Sequence, residues 1–537
     1  MRKSHFKVIF VLILILILAF VLRVVAVARF PAGLTADEAA QGYTAYSLLK
    51  TGRDEWGVYL PLTPRSFGDF KPPLYTYLTV PSLAVFGLNE FAVRFPAVII
   101  GTLAVLMTFL VTKELFTGRR FNYSLALFAS LFLAVSPWHF SLSRGAFEAA
   151  LTVFFLPAGL WFFLKGLREP RFFFWASLFW GLNLFSYHAA KLFTPLFLVS
   201  LIFWQRQKLR QWWKRKEKKS LLLAAAVFAF FVSLAFSSLL FGGGTRVADV
   251  GIFSAGFRAP GMFLESYLSY LSPEFLFTRG AGEATYGMIP GRGVLYLFEL
   301  PLLIFVFILL IKRWEKTFFP LLSWLFLASL PAALSQGVGY HANRVAVMMP
   351  AIQILSAYGL ISFFHRQIRG KRIILTGVLF WVLISVSSFL WVYFRQGPKI
   401  MAPAMAYGWR ETMNYLRGVE KNYQQIIVSR RFSEPQTFVA FYKAYPPEKF
   451  QEESQDWLRY QKEKLLFVDQ LGQYSLGQYE FRDLHFPVDR NLKNVLLVGR
   501  PEEFPADVLI KKMIIYPDGQ RAFFIVESGS EDNKKIR

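Results

Sequence analysis

Cysteine is absent from all 537 residues. That excludes disulfides, cysteine-ligated zinc and thiol catalysis. Only six histidines are present, and none falls into a metal-ligand spacing. Acidic residues number 35 against 60 basic ones, for a net charge of +25. Such an excess can mark a nucleic-acid partner. Here, however, the basic residues gather in short loops between apolar runs, the pattern of loops on the cytoplasmic face of a membrane. Nucleic acid is therefore not an expected partner. The glycines at 242–244 lack the strand–loop–helix pattern of a phosphate loop and read as a hinge. No internal repeat is visible.

What is present in quantity is apolar surface. Hydrophobic residues make up 55% of the chain and aromatics 18%, unlike an ordinary soluble domain. Eleven runs approach the roughly 20 residues needed to cross a bilayer. They lie near 8–28, 90–112, 122–138, 145–166, 171–188, 192–205, 219–241, 293–312, 317–335, 344–364 and 372–394. The first follows a basic start and ends near Ala26-Val27-Ala28, which resembles a signal cleavage site. It is long for a signal, so an uncleaved anchor is expected.

With the N-terminus inside, every basic-rich short loop falls on the inner side: Lys113, Arg119 and Arg120; Lys165, Arg168 and Arg171; "RQKLRQWWKRKEKK" from Arg206; Lys312, Arg313 and Lys316; and Arg366, Arg369, Lys371 and Arg372. "KRKEKK" near 214–219 reads as a topology signal with affinity for anionic lipid. Two long loops, about 29–89 and 242–292, then lie outside with the C-terminal tail. The first is expected to hold a short helix over 37–50, and "PSLAVFGL" an interfacial segment. The second is rich in glycine and is expected to be mobile.

From 396 onward the apolar runs shrink to strand length: "QIIVS", "KLLFVD", "NVLLVG", "MIIYP" and "AFFIVES". Helical patterns such as "APAMAYGWRETMNYLRGV" accompany them. The expected organisation is a transmembrane domain, 1–395, followed by a small extracytoplasmic α/β domain, 396–537, with a disordered tail "GSEDNKKIR".

The polar residues near the membrane boundary collect on the outer side. Asp37, Glu38 and Lys71 lie in the first outer loop. His139, Arg144 and Glu148 lie in "SPWHFSLSRGAFEAAL", His188 and Lys191 in "FSYHAAKLF", and His341, Asn343 and Arg344 in "GYHANR". Arg292 ends the second loop. Ionisable groups at this depth face a cavity or a partner, because lipid exposure is costly. A carboxylate can take the proton of an attacking hydroxyl, and Lys or Arg can stabilise a departing phosphate. This set therefore suits group transfer to a hydroxyl, at a place where a lipid-linked phosphosugar could present its headgroup.

Plainer roles compete at each position. Thr35 or Asp37 can cap a helix, and Asp37 and Glu38 then serve its N-terminus. Lys71 and Arg23 can reach headgroups as snorkelling side chains. Arg144 and Glu148, four apart, can pair on one helix face. His139, after Trp138, suits an aromatic belt. An arginine fork suits phosphate, which favours Arg344 over His341.

"LTADEAAQGYTAYSLLKTGRDEWG" followed by "GDFKPPLYTYLTVPSLAVFGLNEFAVRFPAVIIGTLAVL" resembles the opening of the GT-C membrane glycosyltransferases, in particular bacterial enzymes similar to protein O-mannosyltransferases and the lipid A aminoarabinose transferase. "SPWHFSLSRGAFEAAL", "FSYHAAKLF", "GMIPGRGVLYLFELP" and "GYHANR" are similar to the same group, and the resemblance covers roughly 30–395. It implies a GT-C-like fold of about 11 transmembrane helices, a polyprenyl-phosphate sugar donor and an inverting reaction. It also implies a catalytic acid in the first outer loop. Here that acid is Asp37, with Glu38 beside it, and Lys71 matches a lysine near the donor phosphate. Some relatives carry an acid immediately before that lysine. This chain has Phe70 there and Asp69 one place earlier. Some GT-C enzymes place a second acid in the outer loop where Glu148 stands. The resemblance leaves room for a divalent cation but names no ligands.

The expected function is transfer of a hexose or pentose to a hydroxyl of a lipid, polysaccharide or protein at the outer face of the cytoplasmic membrane. A lipid-linked saccharide flippase would also explain many spans and outer cations, but it should show internal pseudo-symmetry. A non-catalytic scaffold for envelope assembly would act through the C-terminal domain.

Overall fold

The computed structural model describes residues 2–214, 217–238, 251–335, 340–365 and 371–529. The glycine hinge at 242–244, Arg366, Arg369 and the expected disordered tail from residue 530 onward lie outside the described residues. The chain divides into two compact units, one of residues 1–25 and 97–394, the other of 26–96 and 395–537. The expected boundary near 395 ran along the chain. Contacts also group residues 26–96 with the C-terminal residues.

The N-terminal half runs through α1 (Arg2–Val24), α2 (Ala36–Thr51), α3 (Pro73–Phe86), α4 (Glu90–Leu115), α5 (Asn122–Val135), α6 (Pro137–Leu142), α7 (Ala149–Gly166), α8 (Phe172–Asn183), α9 (Ala190–Trp204), α10 (Arg206–Lys214) and α11 (Lys218–Ser238). Later helices include Ala259–Leu271, Glu299–Lys312, Phe319–Ala328, Ala351–Phe364 and Lys371–Arg395. A helix stands in each of the eleven predicted spans. Among the described residues, seven are long and apolar enough to cross a membrane by length and composition, and Asn122–Val135 and Ala190–Trp204 are shorter apolar helices. The last helix exposes Ile373, Phe380, Leu383 and Trp391. Apolar side chains can stay outside a protein core where lipid covers them.

Ion pairs link the basic loops at one end of this unit. Arg119 pairs with Glu315, and Arg168 with Glu114. At the other end, Trp138 Nε1 donates to the Ala342 carbonyl at 3.0 Å, and Asn343 Nδ2 to the Tyr187 hydroxyl at 3.3 Å. The described part of residues 242–292, expected from its glycine content to be mobile, holds secondary structure. It holds helix Ala259–Leu271 and a backbone bridge between Gly280 and Arg292. The aromatic spacing of "FLESYLSYL" explains the difference: Tyr270 is buried, and the Tyr267 hydroxyl donates to the Phe326 carbonyl at 2.9 Å.

The other unit carries a two-residue ribbon, β1 (Arg65–Ser66) with β2 (Asp69–Phe70), and a six-stranded mixed sheet. The sheet comprises β3 (Gln425–Ser429), β4 (Gln473–Leu476), β5 (Tyr479–Arg482), β6 (Val495–Gly499), β7 (Ile510–Ile515) and β8 (Arg521–Glu527), ordered β4-β5-β3-β6-β8-β7. β3 is parallel to β5 and β6, and the remaining pairs are antiparallel. Ile427, Leu497, Phe524 and Val526 fill one core with Phe486 and Phe504.

Four of the five predicted strands are present. "KLLFVD" is not a strand, because its amides are already occupied: Leu466 N donates to Gln470 Oε1 at 2.8 Å and Val468 N to the Phe67 carbonyl at 3.1 Å. The β4–β5 hairpin, "QYSL" and "YEFR", was not predicted. The helix expected over "APAMAYGWRETMNYLRGV" begins only at Trp409, after Gly408 with φ +108°.

α2 packs within this unit on helix Pro435–Lys443, and Gly42 makes the approach possible. A Cβ there would lie 2.6 Å from Val93 Cγ2 and 2.7 Å from the Phe441 ring. The Tyr43 hydroxyl donates to the Tyr445 carbonyl at 2.9 Å.

Candidate functional site

Thr35 begins α2. Its extended backbone and side chain form a capping box, with Glu38 N donating to Thr35 Oγ1 at 3.2 Å and Thr35 N to Glu38 Oε2 at 3.1 Å. This satisfies two backbone donors of the first turn and turns Asp37 and Glu38 in different directions. Glu38 is fully buried against Arg94, whose Nε and Nη2 meet the two carboxylate oxygens at 2.8 and 3.0 Å. The same guanidinium donates to the carbonyls of Val27 at 3.0 Å, Pro31 at 3.1 Å and Gly33 at 2.5 Å. Glu38, expected beside Asp37 in the chemistry, thus has the geometry of a brace. It ties α2 to the turn before it and to α4.

Asp37 is the more open of the pair, with its side chain 30% exposed. Lys71 Nζ reaches Asp37 Oδ1 at 2.6 Å and Asp69 Oδ2 at 2.8 Å, while its own side chain is only 6% exposed. Phe70 stands between Asp69 and Lys71 in the chain. Residues two apart in an extended segment point to the same side, so Asp69 reaches the lysine although it sits one place earlier than the acid of some relatives. Lys71 N donates to the Pro64 carbonyl at 2.9 Å, and Nζ lies 5.3 Å from the Phe67 ring centre.

A carboxylate not singled out in the sequence belongs to this surrounding. Glu434 is nearly buried and acts electrostatically on Asp37 and Lys71. Burial first, then the charges of Asp469 and Asp37, push its carboxyl up to about 7. It starts helix Pro435–Lys443 from a left-handed backbone, φ 48° and ψ 52°, a conformation uncommon for a non-glycine residue. In the sequence it is one acid before a proline, and no spacing links it to residue 37.

The remaining expected residues lie in the unit of 1–25 and 97–394. Arg144 is fully buried and serves the C-terminal end of α1: its Nη1 donates to the Leu22 and Arg23 carbonyls at 2.6 and 3.0 Å, and its Nη2 to Val25 at 2.9 Å. A cation there meets the orphan carbonyls and the negative end of the helix dipole. Arg23 does not snorkel. It is buried, donating to the Ala19 and Ala134 carbonyls at 2.8 and 3.2 Å, with Nη2 2.7 Å from His139 Nδ1. His139 is accordingly buried and does not join an aromatic belt.

A second polar group forms around the Tyr187 hydroxyl, which feels the charges of Arg344 and Glu148 and neighbours Tyr270 and Tyr286. His341 N donates to the Tyr270 hydroxyl at 3.3 Å, and burial together with Arg344 lowers the His341 pKa. His188 follows Tyr187, with ring centres 6.4 Å apart. Lys191 points elsewhere, donating to Ser238 Oγ at 3.0 Å. Arg292 lines a small cavity with Trp138 and Ser141. No group of three or more His, Asp or Glu among the described residues has metal-binding geometry.

Residues 70–236 match the family model of dolichyl-phosphate-mannose-protein mannosyltransferase. Over its whole length the chain is similar to ArnT from Cupriavidus metallidurans in the apo state, with a TM-score of 0.53 and 12% identity, covering 100% of each chain. The fold is that of the GT-C glycosyltransferases. The same ArnT bound to undecaprenyl phosphate matches with TM-score 0.53 and 13% identity, covering 99% of each chain. The archaeal oligosaccharyltransferase AglB from Archaeoglobus fulgidus, in complex with an inhibitory peptide and a dolichol-phosphate, matches with TM-score 0.51 and 14% identity over 99% of this chain and 75% of that one. No curated protein matches the chain. A GT-C fold with these apolar helices makes this a multi-pass membrane protein. Lys71 falls inside the matched family segment, whereas Asp37 and Glu434 lie outside it.

Proposed function

We propose that the protein is an inverting glycosyltransferase that moves a sugar from a polyprenyl-phosphate carrier to an acceptor hydroxyl at the outer face of the cytoplasmic membrane. The observation that carries this reading is the Asp69–Lys71–Asp37 ion cluster, with a partly exposed Asp37, in a chain of GT-C fold. ArnT and AglB structures that contain polyprenyl or dolichyl phosphates support a lipid-phosphate donor. The clustering of basic residues in alternate short loops supports an inside N-terminus and outer catalytic loops.

In the proposed step Asp37 accepts the proton of the acceptor hydroxyl as its oxygen bonds to the anomeric carbon. The bond from that carbon to the phosphate oxygen breaks on the opposite face, which inverts the configuration. The electron pair leaves with the polyprenyl phosphate, and Lys71, released from Asp37, stabilises the charge that develops there. Glu38 is a positioning residue through Arg94. In the other unit Arg344 and Arg292 are proposed as phosphate partners. Glu148, His188 and His341 are proposed as substrate contacts on the strength of the resemblance, Lys191 as a support through Ser238 and Arg144 as a structural cap.

The test is transfer from a panel of labelled polyprenyl-phosphate sugars by membranes carrying wild type or Asp37→Asn. Label should enter product with wild type and fall by at least about 100-fold in the variant, the usual scale of a lost general base. Full transfer by a folded Asp37→Asn protein would remove Asp37 from the mechanism. No transfer from any donor, with the native acceptor supplied in the envelope fraction, would favour a transporter or scaffold.

A further inference from the structure

The unit of residues 26–96 and 395–537 carries an open cavity of about 310 Å³ that Asp37, Asp69, Lys71 and Glu434 do not line. Its walls come from residues 28–34 and from 398–411, which follow α1 and helix Lys371–Arg395 in the chain, with Glu90, Tyr442 and Pro517. The volume is at the lower end of the about 300–1,000 Å³ typical of small-molecule sites.

One wall is a fixed polar network. Arg410 Nε meets Glu90 Oε1 at 2.6 Å, its Nη2 donates to the Ala28 carbonyl at 2.8 Å, and the Tyr442 hydroxyl donates to Glu90 Oε1 at 2.9 Å. Glu411 differs: its Oε2 is buried and has no hydrogen-bond partner among the described residues. Glu411 lines the same cavity, and its carboxylate adds an acceptor beside this network. Arg29 is exposed on the wall, and Phe30 and Tyr407 add aromatic faces.

The balance of charge narrows the ligand. Two arginines face two glutamates, so an anion would meet Glu411 unfavourably, and a hydrocarbon would cover charges without pairing them. A polyol satisfies both signs. Its hydroxyls donate to Glu411 and accept from Arg29, and the C–H face of a ring packs on Tyr407 or Phe30. We propose that this cavity binds a saccharide of mono- to disaccharide size. Its reading as the sugar of the acceptor rests on the transferase proposed above, whereas saccharide binding itself stands on the cavity.

The experiment is calorimetric binding to the full chain in lipid nanodiscs. The probes are neutral and amino mono- and disaccharides, free or on a lipid, with inorganic phosphate as the anion probe. A bound saccharide should lose at least about tenfold in affinity with Glu411→Gln and with Tyr407→Ala, the equivalent of one hydrogen bond of about 1.4 kcal/mol. Exposed Arg29→Ala carries the test if either cavity variant fails to fold. Binding only of the lipid-borne form would identify a glycolipid source, and equal binding of both forms a glycan. Binding of phosphate in place of saccharides, no saccharide binding, or binding indifferent to the cavity variants overturns the proposal. Saccharide binding by a protein that transfers nothing would retain the cavity and remove the transferase.

Discussion

Glu434 gives the Asp37–Lys71 surrounding a pH dependence. Its carboxyl sits at about 7 against an ordinary 4.5, because burial and then the charges of Asp469 and Asp37 disfavour ionisation, with Lys71 opposing. The folded state therefore holds a proton that the unfolded state loses above 4.5. The stability it brings is complete below 4.5 and is lost as pH rises through about 7. The slope is at most about 1.4 kcal/mol per pH unit inside that window. Thermal unfolding in nanodiscs should show wild type weakening from pH 5 to pH 8, with Glu434→Gln nearly flat by comparison. Equal slopes would mean that Glu434 ionises freely. Asp37 and Lys71 were legible in "LTADEAAQGY" and "DFKPP". Glu434 was not, because the sequence shows that a carboxylate exists but not how buried it is or what charge it faces.

At the level of elements, α2 is held at both its cap and its flank. The capping box was readable, since Thr35 and Glu38 stand at the required spacing. Arg94 was not, because it comes from α4, 56 residues away. Replacing Arg94 by Met should leave the Glu38 carboxylate buried and unpaired, at a cost of about 3–5 kcal/mol. Arg94→Lys should recover only part of this, because an ammonium cannot reproduce the two-point contact. The measurement is thermal stability together with transfer, and both should fall in the same order, wild type, Lys, Met. An Arg94→Met protein as stable as wild type would show that Glu38 finds water or another partner. Arg23 and Arg144 teach the same lesson at α1. Charge at a membrane boundary was read as function or snorkelling. These two arginines instead hold backbone carbonyls of α1 and of the α5 end, a use that only neighbouring elements reveal.

For the molecule as a whole, the grouping of residues 26–96 with 395–537 makes the C-terminal domain part of the scaffold for Asp37. Removing residues 396–537 would strip Gly42 of Phe441 and Tyr43 of the Tyr445 carbonyl. The truncated chain is expected to insert into the membrane, to become sensitive to protease between α2 and α4, and to lose transfer. Limited proteolysis of membrane-embedded wild type and truncate checks this. Equal protection of the segment would show that it folds without the C-terminal residues.

The apolar runs, the alternating basic loops, the helix Ala36–Thr51 and most of the strands were determined by the sequence alone. Each depends on local composition, where hydrophobicity over 20 residues or alternation over five suffices. Tertiary structure alone decided which charges pair with one another and which meet backbone carbonyls. Lys71 meets Asp37 across 34 positions and Arg410 meets Glu90 across 320. A charge is stabilised by whichever partner the fold brings within hydrogen-bond reach, and distance along the chain carries no trace of that choice.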